Sequence, residues 1–260
     1  MIVTSQPGDA VSSSPKRRRV SLFIPCLVED FFPEIGEAAA VVLDRAGVAV
    51  DYPEAQTCCG QLAYKTGHRS ETRRFARHFL ETFARAEAVV SPSGSCVSMV
   101  KNYYPSLLAD DSTWAQAAED MAGRVFELSQ YLVDVLGLKD LGASWPGRAV
   151  YHDSCQVSRA LGVSEQPQAL LRAVAGLELR ELDGADTCCG FGGAFSLQFP
   201  EVSERLLDDK VAAIEASGAE MVVSAEVSCL MNIGGRLAKT GSPVKALHLA
   251  QVLAGKEARS

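Results

Sequence analysis

The stretch TCCGQLAYKTG at 57–67, which contains two adjacent cysteines and a glycine, returns in the second half of the chain as TCCGFGGAFSL at 187–197. In the first half, 31 residues separate Cys26 from the doublet and 36 separate the doublet from Cys96. In the second half, the corresponding spacings from Cys155 and to Cys229 are 32 and 39 residues. All eight cysteines therefore belong to two copies of one C…CC…C pattern, which indicates an internal duplication. The first cysteine unit is Cys26, Cys58, Cys59 and Cys96, and the second is Cys155, Cys188, Cys189 and Cys229.

The segments around the cysteines repeat in the same order. An apolar run leads to the first cysteine of each unit, as VSLFIPC at 20–26 and RAVYHDSC at 148–155. Helical and strand periods then alternate up to closing phrases at 125–137 and 244–255, which have similar wording. This alternation predicts parallel βαβ units with buried sheets. We expect an α/β fold of two lobes related by an approximate two-fold axis, with one cysteine unit in each.

The lobe boundaries follow from composition. The Gly-, Ser- and Pro-containing segment LKDLGASWPG at 138–147 predicts the linker, so the first lobe spans 20–140 and the second 147–254. The Ser/Pro-rich start, 1–19, predicts a flexible tail that ends in the basic run PKRRR.

Bulk properties narrow the class of protein. The chain has 260 residues, 47% of them hydrophobic, and contains no apolar window of the length that spans a membrane. A formal charge of −7 disfavours a nucleic-acid partner. No secretory signal follows the basic run, so we expect a cytoplasmic, reducing environment in which cysteines act as ligands or redox groups rather than as disulfides.

The positions of the cysteines predict a metal or cluster site in each lobe. Every cysteine follows a predicted strand, and ligands of parallel sheets lie beyond the carboxyl ends of the strands. Helix N-termini at these positions would stabilise thiolates. Zinc with four sulfur ligands is an alternative, but structural zinc sites usually use C-x2–4-C pairs, whereas a multi-iron cluster offers several metal atoms to neighbouring thiolates. Iron–sulfur is therefore favoured over zinc.

Other residues near the cysteines are candidates for supporting roles. Four glycines beside the doublets would let the backbone approach a bulky group: Gly60, Gly190, Gly192 and Gly193. Ser93 and Ser95 could donate hydrogen bonds to cluster sulfurs, although a plain turn is the simpler interpretation. His152 is the catalytic candidate, for proton transfer or ligand orientation, while His248 is expected to be structural. No dinucleotide fingerprint, P-loop or ferredoxin-like cysteine run occurs in the chain.

These motifs resemble the CCG-domain family of cysteine-rich proteins, which includes the CCG-containing subunit of heterodisulfide reductase and the glycolate oxidase iron–sulfur subunit. The resemblance covers about residues 20–254 and rests on six segments: QTCCGQ (56–61), SPSGSC (91–96), RAVYHDSC (148–155), DTCCGFGGAFSL (186–197), VSCLMNIGGRL (227–237) and HLAQVL (248–253). The fullest family motif ends in C-x-x-C, but at that spacing Cys96 is flanked by Ser93 and Met99, and Cys229 by Glu226 and Asn232. The five-thiol, noncubane arrangement is therefore disfavoured, while four thiols suffice for a [4Fe–4S] cluster.

The resemblance implies that the eight cysteines bind one or two [4Fe–4S] clusters. It further implies an iron–sulfur electron-transfer subunit of an NAD-independent complex that oxidises L-lactate to pyruvate. Its implied partners are a ferredoxin-like iron–sulfur subunit and a third small subunit, and its substrate at the level of the complex is a small 2-hydroxy acid. Two alternatives stay open: a zinc-stabilised, non-catalytic scaffold subunit, and a related subunit acting on glycolate or a disulfide. Arg159 and Arg236 are the candidates for binding a substrate carboxylate, although a surface role is the simpler interpretation of each.

Overall fold

A computed structural model describes residues 17–255 as an α/β fold with two four-stranded sheets, in which every strand pair is parallel. The first sheet contains β1 (Arg19–Leu22), β2 (Ala49–Asp51), β3 (Val89–Ser91) and β4 (Val125–Glu127). The second contains β5 (Ser144–Tyr151), β6 (Ala175–Arg180), β7 (Met221–Ser224) and β8 (Lys245–His248). Their spatial orders, β2-β1-β3-β4 and β6-β5-β7-β8, are identical once the duplication is taken into account. The predicted fold class is confirmed.

The inner strands are short apolar runs because helices cover both faces of each sheet. β3 (VVS) and β7 (MVVS) are buried at every residue, as is typical of parallel strands buried on both faces. The edge strands β2 and β6 are only partly buried. The register pairs Ser21 with Val89 in the first sheet and Ala149 with Met221 in the second.

Helices connect the strands in both halves. The first half contains α1 (Cys26–Phe31), α2 (Pro33–Arg45), α3 (Gln61–Lys65), α4 (Arg69–Thr82), α5 (Gly94–Ser98), α6 (Tyr104–Leu108), α7 (Ala115–Ala122) and α8 (Leu128–Gln130), with π-helical turns at Met99–Tyr103 and Tyr131–Val135. The second half contains α9 (Cys155–Leu161), α10 (Glu165–Arg172), α11 (Ala194–Gln198), α12 (Pro200–Ala216), α13 (Val227–Thr240) and α14 (Leu249–Ala254). No helix within 17–255 is long and apolar enough to cross a membrane.

The two halves differ most between the last cysteine of each unit and the last strand. In the second half the single helix α13 makes this connection, whereas the first half uses α5, a π-helical turn, α6 and α7. No helix or strand was predicted from the sequence at 97–124. The extra helices are anchored by fully buried side chains, among them Tyr104, Leu108 and Met121.

One hydrophobic core joins the two sheets. It includes Val20 and Leu43 from the first half and Met221 and Leu253 from the second. Helix α14 packs against α2, and the Arg45 side chain donates hydrogen bonds of 2.9 and 3.0 Å to the last carbonyls of α14. The two cysteine units are therefore fixed relative to each other.

Two of the predicted segment boundaries, those of the linker and of the tail, can be compared with the strands of the structure. Strand β5 begins at Ser144, inside the predicted linker 138–147. The division into lobes at 20–140 and 147–254 stays a prediction. Of the predicted tail 1–19, residues 1–16 lie outside the described residues, and Arg19 opens β1.

Candidate metal centres

The cysteines of each unit lie beyond the carboxyl ends of its strands. Cys26 and Cys155 are the first residues of α1 and α9, which follow β1 and β5. Cys96 and Cys229 lie in the first turns of α5 and α13, which follow β3 and β7. Backbone N–H groups in a first helical turn have no partner within the helix and stabilise nearby negative charge. The sequence therefore places thiols where thiolates are favoured.

The thiols of the first unit form a continuous run. Cys26 Sγ donates to Cys58 Sγ over 3.6 Å, and the Gly60 N–H donates to Cys58 Sγ over 3.3 Å. Hydrogen bonds from Cys26 and Cys59 lower the pKa of Cys58 to about 3. Hydrogen bonds to Cys58 and Cys96, together with burial, raise the pKa of Cys59 well above its ordinary value. All four sulfurs are thus linked in the order 26, 58, 59, 96.

The second unit repeats this arrangement. The Gly190 N–H donates to Cys188 Sγ over 3.3 Å, as Gly60 does in the first unit. Hydrogen bonds from Cys155 and Cys189 lower the pKa of Cys188 to about 2. A hydrogen bond from Cys189 lowers the pKa of Cys229 well below its ordinary value. The second unit therefore also links four sulfurs, and all eight cysteines of the chain are free thiols.

His152 lies against the second unit. Its side chain is 1% exposed, and one of its ring nitrogens and the sulfurs of Cys189 and Cys229 all lie within 4.8 Å of one another. Neither ring nitrogen meets hydrogen-bond geometry with a described residue, although the imidazole lies close enough to Cys229 to lower the pKa of that thiol. The structure thus brings this predicted candidate to the thiols. Its catalytic role stays a prediction.

The glycines that follow the doublets adopt a backbone conformation that favours glycine. Gly60 and Gly190 have φ of +77° and +83°, in the left-handed region. A Cβ on Gly60 would lie 3.0 Å from Phe75 Cβ, and one on Gly190 only 2.3 Å from the carbonyl oxygen of Ser203. Gly192 is crowded by Phe195, while a Cβ on Gly193 would make an ordinary van der Waals contact of 3.8 Å with Leu62 Cδ1. Helix packing therefore explains the glycines that follow the doublets, and their approach to a bound group stays a prediction.

A buried carboxylate that was not predicted from the sequence lies between the two units. Glu226 is fully buried at the N-cap of α13, where it accepts a hydrogen bond from the Ser228 N–H. It also reaches the other half of the chain, accepting from the Ser95 N–H over 2.7 Å and from Ser95 Oγ over 3.1 Å. The Ser95 hydroxyl, a candidate donor to a cluster sulfur for which a plain turn was the simpler interpretation, therefore donates to Glu226. An acidic residue two positions after the apolar strand MVVS was the signal that could have indicated this role.

A side chain from the following helical segment holds each doublet. Tyr104 Oη donates to the carbonyl oxygen of Cys59 over 2.8 Å, and Asn232 Nδ2 donates to that of Cys189 over the same distance. Tyr104 is fully buried, whereas Asn232 borders a cavity of about 360 Å³ that is also lined by Arg236 and Lys239.

The remaining candidates are engaged in structural contacts. Arg236 pairs with Asp208, and the exposed Arg159 pairs with Asp186. His248 ends β8 and caps α14, its Nδ1 accepting from the Ala250 N–H over 3.1 Å. None of these contacts reaches a thiol.

The donor set of each unit fits an iron–sulfur cluster. Four contacting thiols, at least one of them with a strongly lowered pKa, match the four thiolates that hold a [4Fe–4S] cluster. Tetrahedral zinc also accepts four thiolates. The two units are therefore a pair of candidate soft-metal centres within one α/β body.

The comparisons identify the class of protein that this fold and these thiols define. The chain matches the family described as "Cysteine-rich domain" (CCG) at residues 20–101 and 149–234, so it belongs to that family, with one match on each cysteine unit. It is 48% identical to Lactate utilization protein A of Halalkalibacterium halodurans, over 92% of this chain and 98% of the relative. Lactate utilization protein A of Exiguobacterium sp. is also 48% identical, over 90% and 96%. That of Geobacillus kaustophilus is 46% identical, over 90% and 98%.

Proposed function

We propose that this protein is an iron–sulfur electron-transfer subunit of a cytoplasmic, NAD-independent complex that oxidises L-lactate to pyruvate. The observation that carries the proposal is the pair of matched four-thiol runs at the carboxyl edges of the two sheets. The relatives named Lactate utilization protein A, which align with nearly the whole chain, support the assignment to lactate.

The chain's own residues hold the redox groups. Cys26, Cys58, Cys59 and Cys96 would bind one [4Fe–4S] cluster, and the second cysteine unit would bind another. Each bound cluster supplies a one-electron carrier. The N–H groups of Gly60 and Gly190 would stabilise thiolate sulfur as negative charge increases on reduction.

The two electrons released from each lactate would leave through partner subunits. A ferredoxin-like iron–sulfur subunit and a third small subunit are the proposed partners. Large apolar side chains are exposed shortly after each doublet: Leu62 is 56% exposed and Leu197 is 83% exposed. Such residues beside a redox centre are suited to the docking of an electron-transfer partner.

The test is growth of a deletion strain with no second lactate-oxidising enzyme. We expect loss of growth on L-lactate but normal growth on pyruvate, with rescue by the wild-type gene and not by a Cys58→Ser/Cys188→Ser variant. The matched control is Ser70→Ala/Ser242→Ala, which carries two substitutions away from the thiols. Unchanged growth of the deletion strain on L-lactate contradicts the proposal.

One observation favours a second candidate, a zinc-stabilised scaffold subunit. His152, Cys189 and Cys229 offer a mixed nitrogen and sulfur ligand set of the kind that binds zinc. This candidate predicts a colourless protein that contains zinc and no acid-labile sulfide.

A further inference from the structure

The surroundings of the two cysteine units differ at one buried position. The duplication aligns VSLFIPC at 20–26 with VYHDSC at 150–155, which places Phe23 and His152 at the same distance before the first cysteine of their units. Both side chains are buried, at 0% and 1% exposure. The first unit therefore has an aromatic hydrocarbon where the second has an imidazole.

Phe23 belongs entirely to the apolar packing of the first half. Its ring makes edge-on contacts with Phe79 and Phe83, at centroid distances of 4.9 and 5.7 Å. Cys59 and Cys96 lie in the same hydrophobic cluster. The side chain at this position in the first unit therefore offers no hydrogen bond to sulfur.

His152 is as buried as Phe23, but its imidazole carries two polar nitrogens that apolar packing cannot satisfy. Its backbone is fixed by β7, because its N–H donates to the Val223 carbonyl over 2.8 Å and its carbonyl accepts from Ser224 Oγ over 3.0 Å. The ring nitrogens meet hydrogen-bond geometry with no group among residues 17–255, and a buried polar group left unsatisfied is costly. The thiols of Cys189 and Cys229, within 4.8 Å, are the groups that the imidazole faces.

We propose that His152 donates an N–H hydrogen bond to sulfur of the cluster held by the second cysteine unit and thereby gives that cluster a higher reduction potential than the cluster of the first unit. This inference rests on the proposed function, because it requires clusters in both units. Hydrogen bonds to the sulfurs stabilise the more negative, reduced state, and they are stronger where water is excluded. The second unit becomes the electron acceptor within the chain, and the first unit becomes the lower-potential partner.

The experiment is a redox titration of the anaerobically purified full chain, followed by EPR. We expect two reduction steps in the wild type. In His152→Phe, which copies the first unit, the higher step moves down and the lower step stays. The expected change in the electron-exchange constant between the two clusters is at least tenfold, equivalent to 59 mV for one electron. His152→Asn, which retains an N–H donor, should restore part of the difference, and the exposed His68→Phe should change neither step.

Pulsed EPR of the reduced wild type provides a test that needs no variant. A weak coupling to nitrogen that changes when histidine is labelled with ¹⁵N is the expected result, and no such coupling should be found in His152→Phe. Absence of the coupling, the strong coupling of an iron-bound nitrogen, or unchanged potentials in an iron-replete His152→Phe protein would each overturn the inference. Wild-type protein without iron and sulfide would instead remove the proposed function, and the inference with it.

Discussion

The two cysteine units share their thiols but not their surroundings. Each unit has a cysteine doublet. A glycine N–H donates to the sulfur of the first doublet cysteine, and a side chain donates to the backbone carbonyl of the second. Around these, the first unit has Phe23 and Tyr104, while the second has His152, Asn232 and an adjoining cavity. The duplication has therefore kept the residues that position sulfur and changed those that determine its environment. Two similar centres with different properties are the result.

The largest effect is expected from removing one thiol of each unit in turn. If each unit holds its own cluster, as proposed, Cys58→Ser should lower the iron and sulfide content of anaerobically purified protein to about half, and Cys188→Ser should do the same. The double variant should contain almost none. The control is Ser70→Ala, on the exposed surface of α4. Loss of all iron in a single variant would contradict two separate centres.

The contact between the halves is tested at Glu226 and its counterpart Ser93. Glu226→Ala leaves the buried N–H and hydroxyl of Ser95 without their acceptor, so we expect the free energy of unfolding to fall by about 3 kcal/mol. Ser93→Ala removes only a 3.4 Å contact with Ser95 Oγ and should cost about 1 kcal/mol or less. Urea denaturation measures both. Equal losses would show that Glu226 does not link the halves as described.

Glu127 caps α8 by accepting from the N–H groups of Ser129 and Gln130, as His248 caps α14, and these two caps should give opposite pH dependences. Burial raises the pKa of Glu127 from 4.5 to about 7, so the folded chain retains a proton there and this residue lowers the free energy of unfolding as pH rises through that interval. Burial lowers the pKa of His248 from 6.5 to about 4, so its contribution rises with pH over 4 to 6.5. Each effect is on the order of 3 kcal/mol.

Two variants separate these contributions. As pH rises from 5 to 7, the free energy of unfolding of Glu127→Gln should increase relative to that of the wild type. Over the same range, that of His248→Asn should decrease relative to the wild type. Urea unfolding at several pH values measures the slopes. Slopes that change in the same direction would refute the assignment of opposite roles to the two caps.

The smallest effect concerns the side chains that hold the doublets. Tyr104→Phe leaves the carbonyl of Cys59 without its donor in a dry core, and we expect a loss of about 1–2 kcal/mol. Asn232→Ala should cost less than that, since the cavity beside it lets water reach the carbonyl of Cys189. Thermal unfolding compares the two. A larger loss at Asn232 would show that the second unit is not the more open one.

The fold was predictable because the duplication repeats every sheet-forming segment. VSLFIP, AVVS and MVVS are short apolar runs, and their matched positions fix the same strand order in both sheets. The helices at 97–124 were not predictable in this way, because the second half contains no copy of them. Pairing of Glu226 with Ser95 was also inaccessible, since it depends on how the two halves pack.

Of the candidate site, only the features that follow from the spacing of the cysteines were predictable from the sequence. Matched spacing predicted that the thiols converge, and the structure brings them together. The glycines after the doublets were interpreted as space for a ligand, but Phe75 and the backbone of Ser203 crowd those positions. Such crowding comes from helices that pack there in the folded chain and leaves no local pattern in the sequence.

The most direct test is the iron, acid-labile sulfide and zinc content of the anaerobically purified full chain, with an EPR spectrum after reduction by dithionite. We expect about eight iron and eight sulfide per chain, little zinc, and a reducible signal if the two four-thiol units each hold one [4Fe–4S] cluster as proposed. Zinc without sulfide and without a signal would contradict the proposal, and would make the duplicated doublet a structural device.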